Sequence, residues 1–163
     1  MDPPADLDKF PNIVRRALLV QSIDNDPEGA CTIIAPLGQD RGRTAVASFI
    51  MLDLAGLAFR YQVRGDMTGF VELPSLLARL DLENNVREIP LDTATATFTY
   101  AAAVGGGVRP AHQPLIDAHR PHIFWASWLT VVTAVRWASD ISFTMPVRLI
   151  DWMFDEFAGH GER

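Results

Sequence analysis

TATATFTY, residues 93–100, carries the strongest strand pattern in the sequence and decides the predicted fold class. Its four threonines alternate with alanine, phenylalanine and tyrosine. Strict alternation of polar and apolar residues is typical of a strand that is buried on one face and exposed to solvent on the other. Three glycines at 105–107 then predict a loop. The pattern therefore predicts an antiparallel sheet.

The residues up to position 63 also favour strands, beginning with the apolar stretch 13–23. The segment DNDPEG (24–29) is a cluster of turn-forming residues, and ACTIIA (30–35) after it fits a short buried strand. Residues 57–63 alternate in the manner of a strand. The apolar run 45–56 fits either a helix or a strand that is buried on both faces.

Helical periodicity dominates the end of the chain. Residues 121–138 contain Arg136 as their only charge, so this segment predicts a helix buried on most sides. A second helix is predicted from Thr144, with Pro146 in its first turn, to a stop at Gly159.

Together these patterns predict one α+β domain over residues 1–163. An antiparallel sheet in the N-terminal two-thirds is covered by the two C-terminal helices, and a short helix is expected around residues 73–80. We expect residues 1–10 and 159–163 to be flexible. A chain of 163 residues with 48% hydrophobic content is long enough and apolar enough for one such core.

Charge and cysteine content restrict the partners and the compartment. The net charge of −6 argues against nucleic acid, whose phosphates require a basic surface. Cys31 is the single cysteine, so no internal disulfide can form, and a reducing, cytoplasmic location is expected. Residues 45–59 and 123–138 are apolar, but each is shorter than the ~20 residues of a membrane span and each contains a charge.

The segment HQPLIDAHRPHIFWASW (112–128) holds the candidate chemistry. His112, His119 and His122 are potential ligands of zinc or another divalent metal, and Asp117 with His119 could act as an acid–base pair. The histidines are spaced by seven and by three residues, which differs from the i, i+4 spacing of metal-binding helices. The alternative is a proline-containing connection whose histidines are solvated.

Other side chains are candidates for binding a ligand or a partner. Arg109 follows the glycine loop and could pair with an anion, although AVGGGVRP lacks the spacing of a phosphate-binding loop. The four tryptophans fit either core packing or a partner surface, where tryptophan is a common anchor. They are Trp125, Trp128, Trp137 and Trp152. We expect a homo-oligomer, or a complex with a protein partner, formed through the C-terminal helices.

Three classes of function follow. We favour a non-catalytic binding or adaptor protein that oligomerises through the tryptophan-rich helices and holds a small apolar ligand between sheet and helices. The first alternative is a small enzyme that uses the histidine and aspartate cluster of residues 112–122, with or without a divalent metal. The second alternative is a membrane-associated protein.

Overall fold

Every regular element in the part of the chain that the structure describes is a helix. The computed structural model describes residues 9–39, 41–63 and 89–161. The elements are α1 (Phe10–Ile23), α2 (Pro27–Ile34), a 3-10 helix (Ala35–Gly38), α3 (Arg41–Val63), α4 (Leu91–Gly105), α5 (His112–His119), α6 (Ile123–Ser142) and α7 (Pro146–Gly161). The predicted α+β fold with an antiparallel sheet is therefore wrong, since no strand occurs among these residues. The short helix predicted around residues 73–80 lies outside the described residues.

Helix α3 is the centre of the fold. Its surroundings explain why the sequence of residues 45–56 fits either a helix or a buried strand. It packs most extensively against α6 and α4, and it also contacts α1, α7 and the 3-10 helix. Because α3 is covered on several sides, its apolar residues do not concentrate on one face, and helical periodicity is weak in its sequence. The strand predicted at 57–63 is the last part of this helix.

The stretch TATATFTY forms most of α4 instead of a strand. Alanine is the strongest helix former, and the buried positions Ala94, Phe98 and Ala101 repeat with helical spacing. The hydroxyl groups of Thr93, Thr97 and Thr99 have hydrogen-bond partners. Thr97 Oγ1 lies 2.8 Å from Thr130 Oγ1 of α6, and Thr99 donates a hydrogen bond to the carbonyl of Thr95.

The two N-terminal segments that resembled strands are also helices. Residues 13–23 belong to α1. ACTIIA begins inside α2, whose N-cap is Asp26: its carboxylate accepts a hydrogen bond from the backbone N–H of Gly29, at 3.0 Å. Pro27 occupies the first helical position, and Glu28 places a negative charge in the first turn. The segment DNDPEG therefore contains both the predicted turn, at residues 24–26 between α1 and α2, and the start of α2.

The two predicted C-terminal helices are present with somewhat different limits. Helix α6 begins at Ile123, after a turn that follows Pro121, and extends to Ser142. Helix α7 begins at Pro146 and continues past Gly159 to Gly161. The connection expected at residues 112–122 contains a further short helix, α5. Buried side chains from all seven helices form one hydrophobic cluster.

One described helix is long and apolar enough to cross a membrane. It is α3 between Gly42 and Tyr61, with a mean hydropathy of 1.4, and 56% of its most apolar stretch is buried against the rest of the chain. The apolar segment of α6 does not meet the same test. A buried core helix and a membrane span look alike by this measure, so α3 alone is weak support for a membrane-associated protein.

Candidate functional site

A cavity of about 490 Å³ lies beside α3, the end of α4, the linker after it, and α7. This volume falls in the range of about 300–1,000 Å³ that is usual for small-molecule sites. Apolar and charged side chains share its wall. The lining residues are Asp53, Gly56, Leu57, Arg60, Val104, Gly107, Val108, Arg109 and Phe157.

One face of α3 supplies the floor of the cavity. Asp53, Gly56, Leu57 and Arg60 are spaced i, i+3, i+4 and i+7, so they lie along one side of the helix. The two charged residues are therefore about two turns apart, with Gly56 and Leu57 between them. The same helix face thus presents an acidic group, an apolar surface and a basic group in that order.

The glycines after α4 bring the opposite wall into position. The N–H of Gly106 donates to the carbonyl of Ala102, and the N–H of Gly107 donates to that of Val104, both at 3.0 Å. Gly107 has φ +87°, a left-handed conformation that a residue with a side chain rarely adopts. This turn ends the helix and directs the chain so that Val108 and Arg109 line the cavity.

Asp53 and Arg109 form the polar end of the cavity. Their closest side-chain atoms, Oδ2 and Nη1, are 3.5 Å apart, which is long for a charge-assisted hydrogen bond. The other oxygen of Asp53, Oδ1, is buried and has no hydrogen-bond partner among the described residues. Burial raises the pKa of Asp53 above its ordinary value of 3.8, while the charge and hydrogen bond of Arg109 and the charge of His112 partly oppose the shift.

Three rings pack against one another near Asp53. The imidazole ring of His112 stacks on Phe49 with ring centroids 3.9 Å apart, and Tyr100 packs against both rings. The hydroxyl of Tyr100 is buried without a hydrogen-bond partner in the described part of the chain. Burial, together with the nearby Asp53 carboxylate, raises the pKa of Tyr100 to about 12, so its phenol stays neutral at physiological pH.

Arg60 occupies the other end of the α3 face. Its Nε donates a hydrogen bond to the backbone carbonyl of Gly105, at 3.3 Å. This bond ties the guanidinium to the end of α4, where helix carbonyl groups carry partial negative charge. It leaves the terminal nitrogens of Arg60 without a hydrogen-bond partner among the described residues, beside the cavity.

The predicted histidine and aspartate cluster does not form one site. His112 stacks on Phe49, and His119 Nδ1 lies 3.0 Å from Thr93 Oγ1. Asp117 accepts a hydrogen bond from Gln113 of its own helix, and His122 is an exposed residue before α6. Among residues 9–39, 41–63 and 89–161, no group of three or more metal-ligand side chains is placed to hold a metal ion.

The tryptophans predicted to bind a partner divide into two groups. Trp128 and Trp137 are buried inside the chain, and Trp137 packs edge-on against Phe59. Trp125 and Trp152 are partly buried and pack against the core. Trp125 and Trp152 are therefore the two tryptophans that are accessible to a partner. The homo-oligomer formed through the C-terminal helices stays a prediction.

Sequence reasoning found one polar residue of the cavity and missed two. Arg109 lines the cavity, as its candidacy for anion pairing requires. Asp53 was visible only as a charge within the apolar segment 45–59, where it argued against a membrane span. Arg60 was visible only as an alternating residue of the strand predicted at 57–63. Their spacing of seven residues, which places them on one helix face, is the signal that could have identified them.

The part of the chain that the structure describes is therefore all-helical, and it has an amphipathic cavity beside its central helix, α3. No protein-family model, no curated protein and no solved structure matches the chain. Its function has to be inferred from the chemistry of the residues that line this cavity.

Proposed function

We propose that this protein binds a small amphipathic molecule in the cavity beside α3. The single observation behind the proposal is the composition of the wall, in which Leu57, Val104, Val108 and Phe157 form apolar surface next to Asp53, Arg60 and Arg109. Sites for small molecules commonly combine mostly apolar walls with a few polar groups that fix the orientation of the ligand. This keeps the predicted non-catalytic binding role, but places the ligand among helices instead of between a sheet and helices.

Rigid elements hold the wall of this cavity. Gly56 and Gly105 pack backbone to backbone where α3 meets α4, and Arg60 is bonded to the carbonyl of Gly105. A site whose parts are fixed before the ligand arrives loses less conformational entropy on binding. The cavity is therefore suited to selective binding of one shape of ligand.

Calorimetric titration with decanol and decanoate tests the proposal, because both offer an apolar chain with one polar group. We expect at least one of them to bind and to shift the amide resonances of Gly56 and Gly107 in a two-dimensional NMR spectrum. Val108→Trp should fill part of the cavity and weaken binding by about tenfold or more, which corresponds to about 1.4 kcal/mol.

Val46→Trp is the matched control for this variant. Val46 is also exposed and lies on α3, but it does not line the cavity. We expect Val46→Trp to bind the probe as the unmodified protein does. If neither probe binds, or if Val108→Trp binds as well as Val46→Trp, the cavity is not a ligand site.

A further inference from the structure

We infer that the ligand is a monoanion, such as a small amphipathic carboxylate, that replaces Asp53 as the partner of Arg109. The inference rests on the proposed function and specifies the chemical class of its ligand. It depends on the charges of the cavity, on the geometry of the Asp53–Arg109 pair, and on the side chains around Asp53.

The charges of the cavity favour an anion. Arg60 and Arg109 contribute two positive charges to the wall and Asp53 contributes one negative charge. A monoanion that binds Arg109 takes the place of the Asp53 charge, so this set keeps a net charge of one positive. A monocation would instead add a third positive charge to a partly apolar cavity, where like charges repel strongly.

The pair formed by Asp53 and Arg109 is easily exchanged. A single pair of atoms joins the two side chains at 3.5 Å, and the Arg109 side chain is 64% exposed. Arginine binds carboxylates best through two parallel hydrogen bonds, and Asp53 uses only one. A ligand carboxylate that enters from the cavity can form the two-bond arrangement with Arg109.

Exchange leaves Asp53 in surroundings that favour its neutral form. Its Oδ1 is already buried without a hydrogen-bond partner in the described part of the chain. The groups whose charges act on Asp53 are Arg109 from the linker and His112 from α5. The neutral phenol of Tyr100 from α4 is close enough to feel the Asp53 carboxylate, and Arg60 lies two turns further along α3. Once the ligand carboxylate neutralises Arg109, the strongest support for ionised Asp53 is lost, and Asp53 takes a proton from solvent.

Binding of the anion is therefore linked to proton uptake, so the affinity falls as the pH rises. In the pH range where Asp53 is ionised in the free protein and protonated in the complex, each bound anion takes up close to one proton. Apparent affinity then falls by about tenfold for each unit that the pH rises in this range. A ligand without a charge leaves the Asp53–Arg109 pair in place and produces no such dependence.

Three probes with the same ten-carbon chain test the head-group class, namely decanoate, decanol and decyltrimethylammonium. We expect decanoate to bind the whole protein about tenfold or more tightly than decanol, and decyltrimethylammonium to bind most weakly. Arg109→Gln should remove the advantage of decanoate over decanol. Arg148→Gln, an exposed arginine of α7 that does not line the cavity, should keep it.

Titrations in two buffers of different ionisation enthalpy measure the proton uptake. Over a series of pH values at which decanoate itself is ionised, we expect a range with proton uptake for the unmodified protein and for His112→Gln. Asp53→Asn should abolish the uptake and tighten decanoate binding by on the order of tenfold. Circular dichroism before each titration checks that these variants are folded.

The outcomes separate this inference from the proposed function. If decanol binds as tightly as decanoate and Val108→Trp weakens both, the cavity is a ligand site but its ligand is not an anion. If decanoate is preferred but Asp53→Asn leaves proton uptake unchanged, Asp53 is not the group that the ligand replaces. Tightest binding of decyltrimethylammonium would overturn the inference and assign Asp53 to a cation.

Discussion

The backbones of Gly56 and Gly105 are in contact where α3 packs on α4: a Cβ atom at position 105 would lie 2.8 Å from the carbonyl oxygen of Gly56. This contact also belongs to the candidate site. Gly56 lines the cavity, and the carbonyl of Gly105 accepts the hydrogen bond from Arg60. Core packing and the geometry of the cavity therefore depend on the same two glycines.

Gly56→Ala should destabilise the protein, although alanine is the better helix former by about 1 kcal/mol. The new Cβ would lie 2.8 Å from Cγ1 of Val104 and 3.0 Å from the backbone nitrogen of Gly105, so the two helices must separate. Overpacking of this kind costs about 1–3 kcal/mol. Urea denaturation should show a lower free energy of unfolding, and ligand binding should weaken with it.

Gly159→Ala is the matched control within a helix. Gly159 lies in α7, and a Cβ at this position has nothing within 4 Å. We expect Gly159→Ala to raise the free energy of unfolding by about 0.5–1 kcal/mol through helix propensity alone. Equal effects at positions 56 and 159 would contradict the close helix contact.

Asp53→Asn should stabilise the protein, and by more as pH rises. Burial raises the pKa of Asp53, so above its ordinary value of 3.8 the unfolded chain loses this proton before the folded chain does. Folding then costs progressively more until the pH passes the pKa in the folded state, and the amide of asparagine avoids this cost. Denaturation of both proteins from about pH 3 to pH 7 measures the difference, and a difference that does not change with pH would contradict the expectation.

The sequence predicted the helices whose apolar pattern is helical and misassigned those whose pattern has two interpretations. Helix α6 was predicted correctly because apolar residues recur with helical spacing over one long segment that contains a single charge. In α4, the alternation of threonine and alanine imitates a strand, because a small alanine fits at exposed and buried positions alike. The hydroxyl of Thr97 is paired with that of Thr130 across α4 and α6, and such a tertiary contact is not visible in sequence spacing.

The candidate site was less predictable than the fold because its parts come from distant segments. Asp53 and Arg109 are 56 positions apart and meet only after α3 and α4 have packed together. Conversely, the three histidines of residues 112–122 are close in sequence, but His112 stacks on Phe49, His119 contacts Thr93 and the third is exposed. Proximity in sequence is therefore a poor guide to a site built between helices.

Asp26→Ala tests the N-cap of α2, which lies at the end of the turn predicted from the sequence. The Asp26 carboxylate accepts the hydrogen bond from the N–H of Gly29 that caps α2. Loss of such a cap costs about 0.5–2 kcal/mol. Thermal denaturation should show a lower midpoint for Asp26→Ala but not for Asp24→Ala, because Asp24 lies at the C-terminal end of α1, where a negative charge is unfavourable.

Phe143→Gly should stabilise the turn between α6 and α7. Phe143 ends α6 with φ 55° and ψ 33°, a left-handed conformation that costs a residue with a side chain about 1 kcal/mol or more. Its side chain is 95% exposed, so its removal loses little packing. Glycine is the preferred residue at such a helix end, and we expect the free energy of unfolding to rise by about 1 kcal/mol.

Ile141→Gly provides the comparison for this variant. Ile141 is also exposed, at 40%, and it lies two residues earlier, inside α6, but it is not among the described residues with positive φ. Glycine there gains no relief of strain, is a weaker helix former and adds freedom to the unfolded chain, so Ile141→Gly should lower the free energy of unfolding. Urea denaturation of the two variants should therefore give shifts of opposite sign. A loss of stability in Phe143→Gly would show that the exposed ring contributes more through its contacts than the backbone loses through strain.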